Sequence, residues 1–306
     1  MKLSYKNKLK LIKLLRGCWS FFATPLTIII LTHSFKVQRA YGMPWNKRIG
    51  LGFRFWRNTR QIKSGTSWRA HLLMAMKLLE MGPEIEGDVI ECGCWKGGAT
   101  VNLSIICSIV GRKLKVYDSF EGLPPPTEGD PIAEKTFAKG FIPGLFGGSL
   151  DEVKGNIGRF GELSSCSFHP GWFENSLPHH EGEIAMMFLD VDFYSSLHEC
   201  LIHLWPHLAP GGILFLDEYT NLPYCAVFYS EKYWQKYFSC APPGLLGVGT
   251  GVQLGKIYWD PDVRQDPRQI HSPESVAFCI KGTQALWDFY PDETGEGAQA
   301  TTSETC

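Results

Sequence analysis

Chemistry in this chain is concentrated where apolar runs stop. Leu189-Asp-Val-Asp-Phe-Tyr194 and Leu216-Asp-Glu-Tyr219 place carboxylates directly behind the runs Ile184 to Leu189 and Ile213 to Leu216. If these runs are neighbouring buried strands, Asp190, Asp217 and Glu218 meet at one rim, with Asp192 close by. Three carboxylates there repel one another, and a bound cation resolves the repulsion. An all-oxygen donor set with room for water or substrate oxygens suits Mg²⁺ rather than zinc. The plainer alternative is a set of solvated strand-end acids, or partners for Arg and Lys.

A second group of residues lies upstream. Val89-Ile-Glu-Cys-Gly-Cys-Trp-Lys-Gly-Gly98 combines a short apolar run with Gly93, Gly97 and Gly98, which allow a tight turn and close ligand approach. It is not a dinucleotide fingerprint, because Trp95 stands where the middle glycine belongs. Glu91 would repel a pyrophosphate yet receive a cation. The sulfonium and α-amino group of S-adenosylmethionine carry that charge. Farther on, Tyr117-Asp-Ser-Phe-Glu-Gly-Leu-Pro124 sets Asp118, with Ser119 beside it, where an acid can accept from both ribose hydroxyls. A glycine turn that serves helix packing, and a carboxylate that caps a turn, are the structural alternatives for these two loops.

The elements that must position these groups alternate. Leu72, Ala75, Met76 and Leu79 have helical spacing after Ser67, and Asp88 to Cys92 reads as a strand. A helix through Val101, Ile105 and Ile109 leads to a strand over Lys113 to Tyr117. Pro124 to Gly148 is a long Pro- and Gly-rich loop, and Ser149-Leu-Asp-Glu152 has capping-box spacing for another helix. A strand over Cys166 to His169, the Gly171-Trp172 loop, the strand Ile184 to Leu189 and a helix over Ser195 to Leu208 follow. Ala209-Pro-Gly-Gly212 then turns into the strand Ile213 to Leu216, while Gly251 to Trp259 and Val276 to Ile280 supply closing edge strands. Strands alternating with helices predict an α/β fold, a mostly parallel sheet covered on both faces. Ligands then bind beyond the carboxyl ends of the strands.

Composition agrees with a folded enzyme-sized domain. The chain has 306 residues, 44% hydrophobic and 20% charged, with 30 basic against 31 acidic residues. That excludes a disordered or polytopic membrane chain, and the balanced charge excludes a global field for nucleic acid. Ten cysteines show no paired spacing and several lie in apolar runs, which predicts buried reduced thiols and a cytoplasmic setting. The first residues stand apart. Between Met1 and Arg16 there are six basic residues and no acid, and Gly17 to Phe35 is uncharged. Three readings of residues 1–36 stay open: a cleaved leader, a segment on an anionic membrane surface through residues 1–35, and a terminal helix packed on its own domain or on a second copy of the chain. Residues 50–290 form the main domain, and residues 291–306 are small, polar and acidic, the pattern of a disordered tail.

Taken together, Gly87 to Gly98, Tyr117 to Pro124, Pro170-Gly-Trp-Phe-Glu-Asn-Ser-Leu-Pro178, Leu189 to Ser196 and Leu208 to Tyr219 resemble the macrocin O-methyltransferase (TylF-type) family. These enzymes use S-adenosylmethionine and Mg²⁺ to methylate sugar hydroxyls on natural products. The resemblance implies a Rossmann-like class I methyltransferase fold with a seven-stranded sheet and a small hydroxyl-bearing acceptor. It implies that the Glu91, Gly93 and Gly97 turn holds the methionine end of the cofactor, Asp118 and Ser119 its ribose, and Trp172 its adenine side. Asp190, Asp217 and Glu218 become the metal ligands, with Asp190 also a candidate base. Glu218 departs from the family's usual Asp. A histidine or lysine from the last third remains an alternative base. Phe228, Tyr229, Tyr233, Trp234 and Tyr237 form either an aromatic wall over the acceptor or the core face of a helix. A catalytically silent cofactor-binding protein is the competing reading, and a nicotinamide oxidoreductase is disfavoured by Glu91 and Trp95.

Overall fold

The computed structural model describes residues 23–127, 130, 142–217, 219, 222–249 and 275–283. Its spine is one seven-stranded sheet: β1 (Asp88–Cys92), β2 (Leu114–Asp118), β3 (Cys166–Pro170), β4 (Ile184–Leu189), β5 (Leu208–Leu216), β6 (Leu246–Gly249) and β7 (Ser275–Ile280). The strand order is β3-β2-β1-β4-β5-β7-β6. β1 to β5 pair in parallel, and β7 inserts antiparallel between β5 and β6. The chain leaves β1 toward β2 and β3, then returns to β4 on its other side. That reversal is the topological switch at which an open α/β sheet forms its crevice.

Register aligns the rim. Cys92 is level with Tyr117 on one side and Leu189 on the other, and Leu189 is level with Leu216. Gly93, Asp118, Asp190 and Asp217 are the next residues of four adjacent strands, so they emerge in one row.

Alternation along the strands separates two cores. Val89, Met186 and Phe188 face helices α2 (Trp45–Asn58), α3 (Trp68–Glu80), α4 (Gly98–Val110) and α5 (Leu150–Phe160). Ile90, Met187 and Leu189 face α6 (Tyr194–Leu204), α7 (Leu222–Val227) and α8 (Glu231–Phe238). The helix starts are those the sequence marks. The Ser67 hydroxyl accepts from Ala70 N at 3.4 Å, and that of Ser149 accepts from Glu152 N at 3.2 Å. Gly111, in the left-handed region, ends α4.

Several expectations change. The helix predicted over Ser195 to Leu208 spans only Tyr194–Leu204, and Pro206 turns the remainder into a 3-10 turn because it lacks the amide the helix needs. Ala209-Pro-Gly-Gly212 is part of β5, accommodated by a register shift opposite Ile184 and Met186. Val276 to Ile280 is an interior strand, since Val276, Ala277, Phe278 and Cys279 are buried between neighbours. Cys240 is disulfide-bonded, which corrects the expectation of uniformly reduced thiols. Gly251 to Trp259, the tail 291–306 and residues 1–22 lie outside the described residues.

Residues 23–33 form a helix, α1, and Ile28 on it joins the same core as Phe55 and Leu72. Gly52 on α2 leaves the space that Ile28 fills, for a Cβ there would meet the Ile28 side chain at 2.6 Å. Among the described residues no helix is long and apolar enough to cross a membrane.

Candidate functional site

A cleft of about 520 Å³ opens at the carboxyl ends of β1, β2, β4 and β5. Glu91, Gly93, Asp118, Ser119, Trp172, Asp190 and Asp217 all line it, together with Asp192. Gly97 does not reach its wall. With φ at +78° it starts α4, and a Cβ there would press on Val153 at 3.2 Å. Glu218 lies outside the described residues.

The turn after β1 is shaped by contact with β4. At Gly93, φ is +82°, and a Cβ would collide with the Asp190 carbonyl. Trp95, standing where a dinucleotide fingerprint has glycine, adopts a left-handed φ of +46°, and Asp192 does the same at +58°. Non-glycine residues in this region carry strain of the kind that gathers at functional sites. The Trp95 ring meets Phe146 edge-on at 5.4 Å, and both rings line the cleft.

Asp118 holds this turn as well as lining the cleft. Its Oδ2 accepts from Cys94 N at 2.7 Å and Trp95 N at 3.3 Å, and its Oδ1 accepts from Phe120 N at 2.7 Å. A carboxylate has about four acceptor positions, so room remains for a ligand hydroxyl. Ser119 closes its own loop, accepting from Glu121 N at 3.1 Å and donating to Gly122 O at 3.0 Å. Gly171 N donates to Asp118 O at 3.0 Å, which brings Trp172 beside the ends of β2 and β3.

Glu91 is the least expected group. It shares the face of β1 occupied by Val89 and is fully buried, with the Thr100 hydroxyl near it but no well-formed hydrogen bond to either carboxyl oxygen. Burial pushes this carboxyl up to about 8; the Thr100 hydroxyl opposes the shift, and the charges of Asp190 and Asp118 add to it. An orphaned buried acid is costly unless a ligand completes it. The described lining contains seven Asp and Glu side chains and no Lys or Arg, so the cleft favours cations over phosphates.

Like charge also dominates the β4–β5 rim. Burial and then the Asp190 charge push Asp192 up to about 8. Burial, Asp190 and Asp192 together hold Asp217 well above the carboxylate range, and Asp217 Oδ1 is buried without a partner. An orphaned oxygen in an all-carboxylate set has the chemistry a hard divalent cation requires. Among the described residues, however, no three His, Cys, Asp or Glu side chains already stand together as a metal-holding group. Asp190 and Asp217 are brought to one rim; a complete three-ligand set is not.

No histidine and no lysine is among the described lining residues, which leaves the carboxylates as proton acceptors there. His180, for example, is buried elsewhere and accepts from the Tyr117 hydroxyl at 2.9 Å. Of the two readings of the aromatic residues, the core face is the one observed for Phe228 and Trp234. Phe228 and Trp234 are fully buried, and Trp234 packs edge-on against Trp205 at 4.7 Å, so these rings are core. None of the five aromatic residues lines the described cleft.

Sequence reasoning missed two contributors. Ser64 and Gly65, between α2 and α3, form part of the wall, and a Cβ on Gly65 would lie 3.4 Å from Asp190 Oδ2. The small polar run Ser64-Gly-Thr-Ser67 was their available signal. Asp130 is the other. Its Oδ1 accepts from Ser195 N at 2.8 Å and its Oδ2 from Thr127 N at 2.8 Å, pinning the loop after β2 to the start of α6. Nothing in its Pro- and Gly-rich surroundings singles it out.

With this geometry established, comparison with known proteins decides the family. The profile of Macrocin-O-methyltransferase (TylF) matches residues 69–237. The chain belongs to that family. Among the family's O-methyltransferases, the 8-demethyl-8-(2,3-dimethoxy-alpha-L-rhamnosyl)-tetracenomycin-C 4'-O-methyltransferase of Streptomyces olivaceus is 30% identical over 172 residues, 51% of this chain and 66% of its own length. The demethyldecarbamoylnovobiocin O-methyltransferase of Streptomyces niveus is 29% identical over 177 residues, 53% of this chain and 68% of that one. The matches therefore span about two thirds of these relatives. The solved O-methyltransferase NovP superposes with a TM-score of 0.53 at 22% identity, covering 72% of this chain and 81% of that one, which shows the methyltransferase fold. The family match begins within α3, so α1, α2 and the Ser64-Gly65 wall lie before it.

Proposed function

We propose that this chain is an S-adenosylmethionine-dependent O-methyltransferase whose acceptor is a hydroxyl of a sugar or another natural-product-like small molecule. Glu91 carries the reading: a fully buried carboxyl with no well-formed hydrogen bond, beside a glycine turn, awaits a positively charged ligand. The backbone at Gly93 admits the methionine end, Glu91 takes its positive charge, Asp118 accepts from the ribose, and Trp172 covers the adenine side. Water exclusion falls to Trp95, Phe146 and the Ser64-Gly65 wall, which enclose the reacting centre. The acceptor class is supported by relatives named for acting on a rhamnosyl tetracenomycin and on a novobiocin precursor.

Asp190 takes the proton from the acceptor hydroxyl as the methyl group moves from the sulfonium to its oxygen. Asp190 and Asp217, with Glu218 as the third ligand, would hold Mg²⁺. When bound, the ion supplies charge that lowers the pKa of a coordinated hydroxyl.

The test is transfer of a deuterated methyl group from S-adenosylmethionine to a panel of glycosylated aromatic compounds, read by mass spectrometry. Asp190→Ala and Asp217→Ala should remove product while the melting temperature persists. Tight cofactor binding with no product across the panel would favour a silent binding protein.

A further inference from the structure

The α1–α2 layer has a property the methyltransferase reading does not use. None of the first 79 residues is Asp or Glu, whereas sixteen are Lys or Arg; the remaining chain carries fourteen basic and all 31 acidic residues. The near-neutral whole is thus a chain strongly polarised along its sequence. The structure puts part of the basic half on one layer. Lys47, Arg57 and Arg60 on and just after α2 are exposed, as are Lys36 and Arg39 in the connection from α1.

The same layer exposes apolar side chains. Leu26 is 59% exposed, Ile29 41% and Ile30 51% on α1, with Trp45 46% and Phe53 40% on α2. The helices lie side by side, because Ile28 fits over Gly52 and Arg48 donates to Thr32 O. The opposite face of α1, with Thr24, Thr27, Ile28 and Thr32, is buried against the domain. α1 is therefore seated by one face and apolar on the other.

We infer that the α1–α2 layer docks on an anionic lipid bilayer. Exposed Leu, Ile, Trp and Phe side chains enter the headgroup region while neighbouring cations meet anionic headgroups. Charge decides among occupants. A second copy of this layer would bring two basic faces together, and an RNA backbone would satisfy the cations but leave Leu26, Ile29 and Ile30 without a partner. From Asn58 a short loop leads to Ser64-Gly65 in the cleft wall, so docking would hold the cleft near the membrane interface. This inference stands whether or not the cofactor reading does.

Flotation of the full chain with vesicles tests it, comparing phosphatidylcholine alone with a mixture containing roughly a third phosphatidylserine. The anionic vesicles should bind at least about tenfold more tightly, and binding should fall as salt rises. Leu26→Glu with Ile30→Glu and Phe53→Glu should lower that binding about tenfold or more while S-adenosylmethionine affinity stays unchanged. Should that variant melt early, the exposed-charge reversal Lys47→Glu, Arg57→Glu and Arg60→Glu gives the same readout. Absence of binding to anionic vesicles, binding that neither variant weakens, or tighter binding to a structureless RNA than to vesicles would overturn the proposal. So would a loss of dimer in light scattering as the variants' main effect.

Discussion

A carboxyl at an apolar position is the clearest sign of function here. Glu91 occupies a β1 site whose alternation calls for a residue like Val89, and its burial holds it largely protonated near neutral pH. A bound cation would favour its ionised form. Glu91→Gln should therefore weaken S-adenosylmethionine by about 10- to 100-fold, the range for losing a hydrogen bond to a charged group. It should leave the melting temperature nearly unchanged, because a neutral buried amide replaces a carboxyl that is already largely protonated; calorimetry and a thermal melt check both. Asp118→Asn behaves differently. Its oxygens hold Cys94, Trp95 and Phe120 amides, so about 1–3 kcal/mol of stability should go along with cofactor affinity. A variant with weakened cofactor binding and full stability would show that Asp118 does not brace the turn. Much of this residue-level pattern is legible in sequence, because strand ends and glycine turns leave short-range marks. The left-handed Trp95 and the bracing by Asp130 are not, since each is set by chain that is distant in sequence.

Elements bring a buried polar network to the cleft wall. Asn58 Nδ2 donates to Asn102 Oδ1 at 3.0 Å, so Asn102 Nδ2 donates to His71 Nδ1 at 2.9 Å, and His71 Nε2 donates to Thr66 Oγ1 at 3.1 Å. This chain links α2, α3 and α4 and anchors Thr66 next to Gly65. Burial lowers the His71 pKa from 6.5 to about 3. Its folded pKa is depressed, so only the unfolded chain gains a proton between these values. The stability contribution is whole above about pH 6.5 and falls toward pH 3, by at most about 1.4 kcal/mol per pH unit. Denaturant titrations between pH 7 and pH 5 should show that loss, and His71→Gln should flatten it; equal slopes would remove His71 from the account. β4 was legible because Ile184 to Leu189 is a continuous apolar run, and β1 because Val89 and Ile90 lead into a glycine turn; both are matched end for end by the observed strands. The α2 helix was not, although Leu51, Phe55 and Asn58 recur on one buried face, because Gly50, Gly52 and four basic residues dilute its apolar stripe.

Across the whole molecule, five parallel strands and the reversal at β1 bring Gly93, Asp118, Asp190 and Asp217, all within the matched span, to one rim. Parts outside that match, α1 and α2, carry the basic layer and a piece of the cleft wall. The proposed metal belongs to this scale, because its ligands come from strands β4 and β5 that only the sheet brings together. EDTA should abolish methyl transfer, and added Mg²⁺ should restore it; full activity in EDTA would confine Asp190 to proton transfer and Asp217 to packing. The most direct test of the central claim is calorimetric titration of S-adenosylmethionine into the full-length chain. One-site binding that Glu91→Gln weakens and that NAD does not reproduce is the expected result. No binding of S-adenosylmethionine, or binding indifferent to Glu91→Gln, would contradict it.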